Sequence, residues 1–254
     1  MRIFTRTTLI TLLAILLASA GSDRQRARNL ILFIGDGMGL SHVYAAMTVS
    51  GNEMTFPFFP VTGFSITHSE NSYSTDSAAG GTAIATGEKT DNRFISMRPD
   101  STILVTLLEH ARNKGKSTGV ISTSSLTDAT PASFVSHVPL RYMYREIAAQ
   151  YSNGAAELFA GGGRNFFEAV VDSAGNRVES TDVVKALEAR GYDVVYTLEE
   201  FVASDAGRIA GLMSDNDMPR LFEGRDPDYL ARATEKAIEV LSKNRRGFVL
   251  MVEG

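Results

Sequence analysis

The sequence predicts an α/β protein with a largely parallel central β-sheet flanked by helices, and three observations lead there. Short, wholly apolar runs recur along the chain, as strands buried on both faces require. Segments with apolar residues at helical spacing lie between them. Glycine, or an acid beside glycine, stops several of the runs, so that strand and helix signals alternate as they do around a parallel sheet. No repeat or low-complexity linker interrupts the alternation, and a single domain is expected over residues 21–254.

Residues 1–20 stand apart. Arg2 and Arg6 give a basic start, residues 7–17 are almost wholly apolar, and Ala18-Ser19-Ala20 offers small residues at the spacing a signal peptidase needs. The apolar stretch falls short of the ~20 residues a membrane span requires. An export signal cleaved near Ala20 is expected, with an uncleaved anchor as the alternative, and it directs the protein to the periplasm or the exterior. Leu30-Ile31-Leu32-Phe33-Ile34 is the first predicted strand. The small-residue run 74–83 reads as a helix able to lie close against a sheet, with Ser or Asp at its head as the cap. A second strand is predicted over 118–122. Ala174-Gly175-Asn176 reads as a turn between short strands near 169–171 and 177–179. Residues 181–189 are predicted helical, with Gly191 as the stop and 192–196 as the following strand. Leu230, Ala233, Ala237, Ile238 and Leu241 share one face of a helix opened by Asp226-Pro227, and 248–252 form the last predicted strand.

The composition narrows the function. The chain has 254 residues, 44% hydrophobic and 21% charged, which excludes a disordered, collagen-like or polytopic membrane protein. Its net charge of −4 and the lack of any basic block argue against nucleic acid as a partner. With 0 cysteines there is no disulfide and no thiolate, so a metal must rest on Asp, Glu, Ser, Thr or one of the 4 histidines.

In an open α/β sheet, ligands bind beyond the carboxyl ends of the strands. The first and last predicted strands each run into an acid beside glycine, Gly35-Asp36-Gly37-Met38-Gly39 and Glu253-Gly254, and the middle one leads to Asp128-Ala129-Thr130-Pro131. Three carboxylates and a hydroxyl are therefore expected at one edge. Hard oxygen donors of this kind suit Mg2+, or Zn2+ where histidines join them. Taken singly, Asp36 and Asp128 read as turn residues and Glu253 as a solvent-facing acid; the shared strand-end position favours the metal. The glycine loop fits neither the dinucleotide fingerprint nor the Walker spacing, and its acid repels phosphate unless a cation intervenes. Ser77, at the head of the small-residue helix, sits where unpaired amides favour phosphate or alkoxide, provided a base or metal activates the hydroxyl. No GxSxG elbow and no evident histidine partner accompany it, which points to a metal.

Ile34-Gly35-Asp36-Gly37-Met38-Gly39, Asp76-Ser77-Ala78, Asp128-Ala129-Thr130-Pro131 with Arg141 downstream, and Val252-Glu253-Gly254, in this order, resemble the alkaline phosphatase family from about Asn29 onward. The resemblance implies a site with two zinc ions and one magnesium. It implies that Asp36 bridges the second zinc and the magnesium, and that Ser77 is the nucleophile resting on that zinc. Thr130 and Glu253 then complete the protein side of the magnesium site, with Asp128 beside it holding a water. Some members of the family carry histidine in place of Asp128, with a different third metal; aspartate favours magnesium. Arg141 falls where the family places its phosphate-clamping arginine, a fork that lysine cannot copy. The implied reaction is hydrolysis of phosphate monoesters through a phosphoserine intermediate, with a broad substrate range, and a homodimer is compatible with it.

One departure stands out. The family's remaining zinc ligands lie downstream of the glutamate strand and are absent here, and none of His42, His68, His110 or His137 occupies a family ligand position. The chain thus resembles the amino-terminal portion of an alkaline phosphatase, with the fold incomplete at its C-terminal side and little activity expected from it alone. Further strands are expected beside 248–252. The competing readings are a phosphodiesterase of the same superfamily and a non-catalytic phosphate- or metal-binding protein. Diesterases usually carry threonine as nucleophile and lack the Arg141 clamp, which favours monoesters.

Overall fold

The computed structural model describes residues 27–55, 59–169 and 182–254. Six strands form one all-parallel sheet: β1 (Leu30–Ile34), β2 (Ser117–Ser125), β3 (Leu158–Gly162), β4 (Asp193–Val195), β5 (Ile209–Leu212) and β6 (Phe248–Glu253), in the order β1-β6-β2-β3-β5-β4. The helices are α1 (Leu40–Val49), α2 (Ser77–Thr86), α3 (Leu107–Asn113), α4 (Ala129–Val135), α5 (Tyr144–Tyr151), α6 (Arg164–Phe167), α7 (Val183–Ala189), α8 (Leu198–Ala203) and α9 (Tyr229–Leu241).

The sheet has a core on each face, as parallel strands joined by helical crossovers require. In β6, Val249 and Met251 enter one cluster with Leu108 of α3, Phe134 of α4, Tyr151 of α5 and Leu187 of α7. The alternate residues Phe248, Leu250 and Val252 enter the other, with Phe201 of α8 and Tyr229, Ala237 and Leu241 of α9. Burying one such side chain stabilises the fold by roughly 1.5–3 kcal/mol. The expected apolar face of the last helix is therefore the one that packs, across β2, β3 and β6.

The predicted strands at 30–34, 118–122, 192–196 and 248–252 all form, with ends shifted by up to three residues. β2 continues from Ser122 to Ser125 because backbone and hydroxyl partners, rather than apolar side chains, hold its end: the Ser125 amide donates to Asp217 Oδ1 at 2.9 Å. Two strands have no apolar run to announce them. β3 and β5 read Leu-Phe-Ala-Gly-Gly and Ile-Ala-Gly-Leu, yet every residue in both is buried. Their small residues make room for neighbours: a Cβ at Gly162 would lie 2.0 Å from the carbonyl oxygen of Asn216. The predicted helix at 181–189 appears as α7, beginning at Val183 with Asp182 as its cap. The export signal over 1–20 and the turn over 174–176 with most of its two flanking strands lie outside the described residues.

One expectation is corrected. Further strands were expected beside 248–252, but β6 is already paired on both sides, Leu250 standing opposite Ile31 of β1 and Gly119 of β2. The crossover through α9 brings β6 back into the middle of the sheet. The edges are β1 and β4, and at β1 Leu30 and Phe33 remain 44% and 62% exposed. Among the described residues no helix is long and apolar enough to cross a membrane.

Candidate functional site

The six candidate residues gather at the carboxyl end of the sheet, each carried by a different local device. Glu253 ends β6, opposite Ile34 of β1 and Ser122 of β2 in the register. That position buries it to 3% exposure. Its Oε2 accepts hydrogen bonds from the hydroxyls of Ser122 and, at 3.0 Å, Ser124. Burial pushes its carboxyl up to about 7; the two serine hydroxyls pull it down, and the nearby charges of Asp36 and Asp128 push it up again. Glu253 therefore lies within electrostatic reach of both aspartates.

Asp36 follows β1 in the glycine loop and is exposed. Its amide donates to the Gly254 carbonyl at 3.3 Å, while the Gly254 amide donates to Ile34 at 3.0 Å, so the two strand ends are stitched together just where the acids emerge. Asp36 Oδ2 accepts from the hydroxyl of Thr130 at 3.0 Å. Thr130 is buried in the first turn of α4, where Asp128 stands at the N-cap. The Asp128 side chain makes no cap hydrogen bond; its Oδ1 accepts instead from Arg141 Nη2 at 2.8 Å.

Ser77 opens α2, and the residue before it organises both the helix and the clamp. Asp76 Oδ1 accepts from the Ala79 amide at 2.9 Å, a cap of the kind its position predicts. Its Oδ2 accepts from the Arg93 amide at 3.0 Å and from Arg141 Nη1 at 3.4 Å. The expected close packing of the small-residue helix is realised against α4: a Cβ at Gly81 would lie 2.9 Å from Ser133 Oγ. Ser77 is half-buried, and its hydroxyl makes no hydrogen bond to any described residue. With Asp36, Asp76, Thr130 and Arg141 it lines a cavity of about 730 Å3 that continues past Ile66 and His68. Asp128 faces a smaller cavity of about 220 Å3 with Tyr144 and Asp217.

Arg141 is held as a charged fork. Burial works against its charge, but the carboxylates of Asp128 and Asp76 outweigh that and raise its pKa above the ordinary arginine value. Its Nε is buried without a hydrogen-bond partner among the described residues, leaving one edge of the guanidinium unspent. The loop that carries it is fixed from behind. The Arg141 amide donates to the Arg93 carbonyl at 2.9 Å, and Ile95 and Val138 exchange backbone bonds. His137 Nδ1 and Nε2 meet the Ser96 carbonyl at 2.9 Å and Glu109 Oε1 at 3.0 Å. His137 thus has a structural partner in Glu109 and makes no hydrogen bond to Asp36, Asp76, Asp128 or Glu253.

Asp36, Thr130 and Glu253 are hard oxygen donors, and a buried carboxylate with two like charges beside it is the electrostatic setting a divalent cation relieves. That donor set fits magnesium. For the two zinc ions that the resemblance implies, the described residues offer at most Asp36 and Ser77 to one and none to the other, short of the three or four protein ligands that a stable zinc site needs. Among the described residues no three His, Asp or Glu side chains close on one point. The described residues do not fit a zinc pair.

The sequence did not reveal Asp76 as a partner of Arg141, although it adjoins Ser77 and its cap role was legible. It did not reveal Ser122 and Ser124 as holders of Glu253; a hydroxyl at the end of the strand neighbouring an acid is the signal that could have found Ser122. Asn92 takes the Asp76 amide on its Oδ1 at 3.1 Å across 16 residues of sequence, and no local pattern announces it.

Comparison with known proteins agrees with this architecture. The alkaline phosphatase family profile matches residues 27–254. Alkaline phosphatase 4 of Bacillus subtilis (strain 168) is 32% identical over 249 residues, covering 91% of this chain and 52% of that one. The alkaline phosphatase of the Antarctic bacterium TAB5 superposes with a TM-score of 0.80 at 34% identity, over 89% of this chain and 64% of that one. A histidine-to-aspartate mutant of the TAB5 enzyme, with Mg bound in its M3 site, superposes with a TM-score of 0.79 at 34% identity and the same coverage. The chain spans about half to two thirds of the length of these relatives.

Proposed function

The chain belongs to the alkaline phosphatase family, and from that premise we propose that it carries the nucleophile, the phosphate clamp and the magnesium ligands of an enzyme that hydrolyses phosphate monoesters through a phosphoserine intermediate. The observation that carries this reading is the pairing of Ser77 and Arg141 through Asp76. One carboxylate caps the helix that presents the free hydroxyl and tethers the guanidinium beside it. A phosphoryl group in the 730 Å3 cavity meets both.

In this reading Arg141 holds two phosphoryl oxygens and orients phosphorus toward Ser77 Oγ. The serine oxygen forms the new P–O bond and passes its proton to solvent, while the bond from phosphorus to the alcohol oxygen breaks and that oxygen takes a proton from solvent. Water then attacks the phosphoserine and loses a proton to solvent, the bond from phosphorus to Ser77 Oγ breaks, that oxygen takes back a proton, and inorganic phosphate is released. Asp36, Thr130 and Glu253 would hold magnesium, with Asp128 beside it. A bound magnesium supplies positive charge against the carboxylates and the phosphate. The Mg-bound histidine-to-aspartate mutant of a relative supports the view that aspartate suits magnesium. The shortfall of zinc ligands among the described residues supports the reading that residues 21–254 alone turn over no ester. The basic, apolar and small-residue pattern of 1–20 supports export to the periplasm or beyond.

The test is a radiolabelled phosphate monoester mixed with the full-length protein and quenched in acid. Label is expected on Ser77. Label on another serine, or turnover that survives Ser77→Ala, overturns the assignment.

A further inference from the structure

Arg93 stands at the rim of the clamp in a conformation that arginine rarely adopts. Its φ is 78°, in the left-handed region where a residue with a Cβ is uncommon. Such a conformation persists only where the surroundings impose it, and here they are the site itself. The Arg93 amide donates to Asp76 Oδ2 at 3.0 Å, and its carbonyl accepts from the Arg141 amide at 2.9 Å. The residue before it is fastened as well. The Asn92 amide donates to Asn71 Oδ1 at 3.0 Å, its Nδ2 donates to the Ser74 carbonyl at 3.0 Å, and its Oδ1 accepts from the Asp76 amide at 3.1 Å. The backbone from which the Arg93 side chain springs is therefore fixed to the two residues that flank the nucleophile and the clamp. The side chain itself is exposed, and no hydrogen bond, ion pair or ring contact to a described residue occupies it. By contrast, Arg141 pairs with Asp76 and Asp128, and Arg98 pairs with Glu88.

We infer that Arg93 is a specificity-determining residue, a second cationic contact that receives an anionic group carried by the alcohol portion of the ester and so favours phosphate esters with a second negative charge. This rests on the monoesterase reading for the phosphoryl end of the ligand. The Arg93 amide and Arg141 Nη1 share Asp76 Oδ2, which brings the root of the Arg93 side chain within an arginine's reach of the clamp. Asp36 and Asp76 line the cavity and repel a further anion there, and its lining cation Lys89 is hydrogen-bonded to the carbonyls of Ile66 and His68, so Arg93, exposed on the loop beside the cavity, is where a second anionic group can be accepted. An exposed charge pair of this kind changes affinity by up to about fivefold and weakens with salt.

The probes are phenylphosphonate and 4-carboxyphenylphosphonate, which cannot be hydrolysed and differ by one carboxylate. Their binding to the full-length protein is measured by calorimetry at low and high salt, with Arg93→Gly and Arg93→Lys as variants. Glycine suits the left-handed backbone, so Arg93→Gly should fold at least as well as the parent, which its melting temperature checks. The expected result is tighter binding of the carboxylated probe to the parent by about two- to fivefold, loss of that advantage in Arg93→Gly, partial retention in Arg93→Lys, and little change in phenylphosphonate binding. No advantage for the carboxylated probe, an advantage that survives Arg93→Gly, or failure of both probes to bind overturns the inference. If the probes behave as expected but no monoester is turned over, the hydrolytic reading fails and the role of Arg93 stands.

Discussion

Asp36 and Glu253 leave neighbouring parallel strands at adjacent positions, yet they live in different media. Glu253 is still part of β6, 3% exposed, and gripped by hydroxyls from β2. Asp36 lies two residues past β1 in a glycine loop, exposed, with one hydroxyl contact to Thr130. The difference follows from strand order: β6 is flanked on both sides, whereas β1 is the sheet edge. The site accordingly has a strand-held half, built from Glu253, Ser122 and Ser124, and a cavity-facing half, built from Ser77, Asp36, Thr130 and Arg141. Changes in the cavity-facing half should register in chemistry with little effect on stability, and changes in the strand-held half should register in stability as well.

The largest expected effect is that of Ser77→Ala in the full-length protein: monoester hydrolysis falls by several orders of magnitude because the covalent route is lost. Its hydroxyl holds no described residue, so the melting temperature should hardly move; a large drop would place Ser77 in the structural half instead. Asp36→Asn comes next, with magnesium affinity and activity lowered more than by Asp128→Asn, for which a 10- to 100-fold loss is typical of a residue acting through another group. Metal content measured by atomic absorption decides it, and equal magnesium in Asp36→Asn and parent would remove Asp36 from the ligand set. Arg141→Ala should cost about 1.5–3 kcal/mol of phosphate binding, roughly ten- to a hundredfold, read from phosphate inhibition. Unchanged inhibition would mean that the guanidinium serves only Asp76 and Asp128.

Two smaller effects sharpen the contrast. In metal-free protein, Glu253→Gln should raise stability by about 1 kcal/mol, since it removes a buried charge set among like charges, while magnesium affinity falls. Asp36→Asn, made at an exposed position, should not stabilise; if both variants behave alike in chemical denaturation, desolvation does not distinguish the two acids. The smallest effect lies behind Arg141. Burial disfavours the charged form of both His137 and Glu109, but their mutual hydrogen bond, with the Ser96 carbonyl on one and the Thr106 amide on the other, raises the histidine and lowers the glutamate. The histidine share is complete below its ordinary 6.5 and is lost as pH rises through the raised value; the glutamate share is complete above its ordinary 4.5 and is lost as pH falls through the lowered value. Stability should therefore fall by about 1 kcal/mol between mildly acid and alkaline pH, and Glu109→Gln should flatten that part of the profile.

What the sequence made legible follows the same physical division. Strands filled with Leu, Ile, Val and Phe were visible because burial on both faces demands an uninterrupted apolar run. β3 and β5 were not, because close approach of backbones there demands glycine and alanine, which carry no such signal. The candidate residues were legible where an acid or hydroxyl falls at a strand end or helix head, as Asp36, Ser77, Asp128, Thr130 and Glu253 do. Arg141 came from its place in the family resemblance rather than from any local pattern. The residues that hold the candidates, Asp76, Ser122, Ser124 and Asn92, act through contacts across long separations. The place of β6 was likewise hidden, since an apolar run tells that a strand is buried but not between which neighbours.

The central place of β6 also sets an order of events. Among the described residues β1 pairs with β6 alone, and the Phe248 amide reaches Asn29 across 219 residues of sequence. During synthesis the first strand therefore emerges long before the strand that receives it. Until β6 arrives, β2 has one vacant flank and β1 has none of its ladder, so both must be kept from pairing with other chains. Closing so distant a contact is entropically slow and leaves strand edges open to association meanwhile. Assembly of the carboxylate cluster thus waits on β6: Asp36 and Glu253 cannot meet until the gap between β1 and β2 is filled.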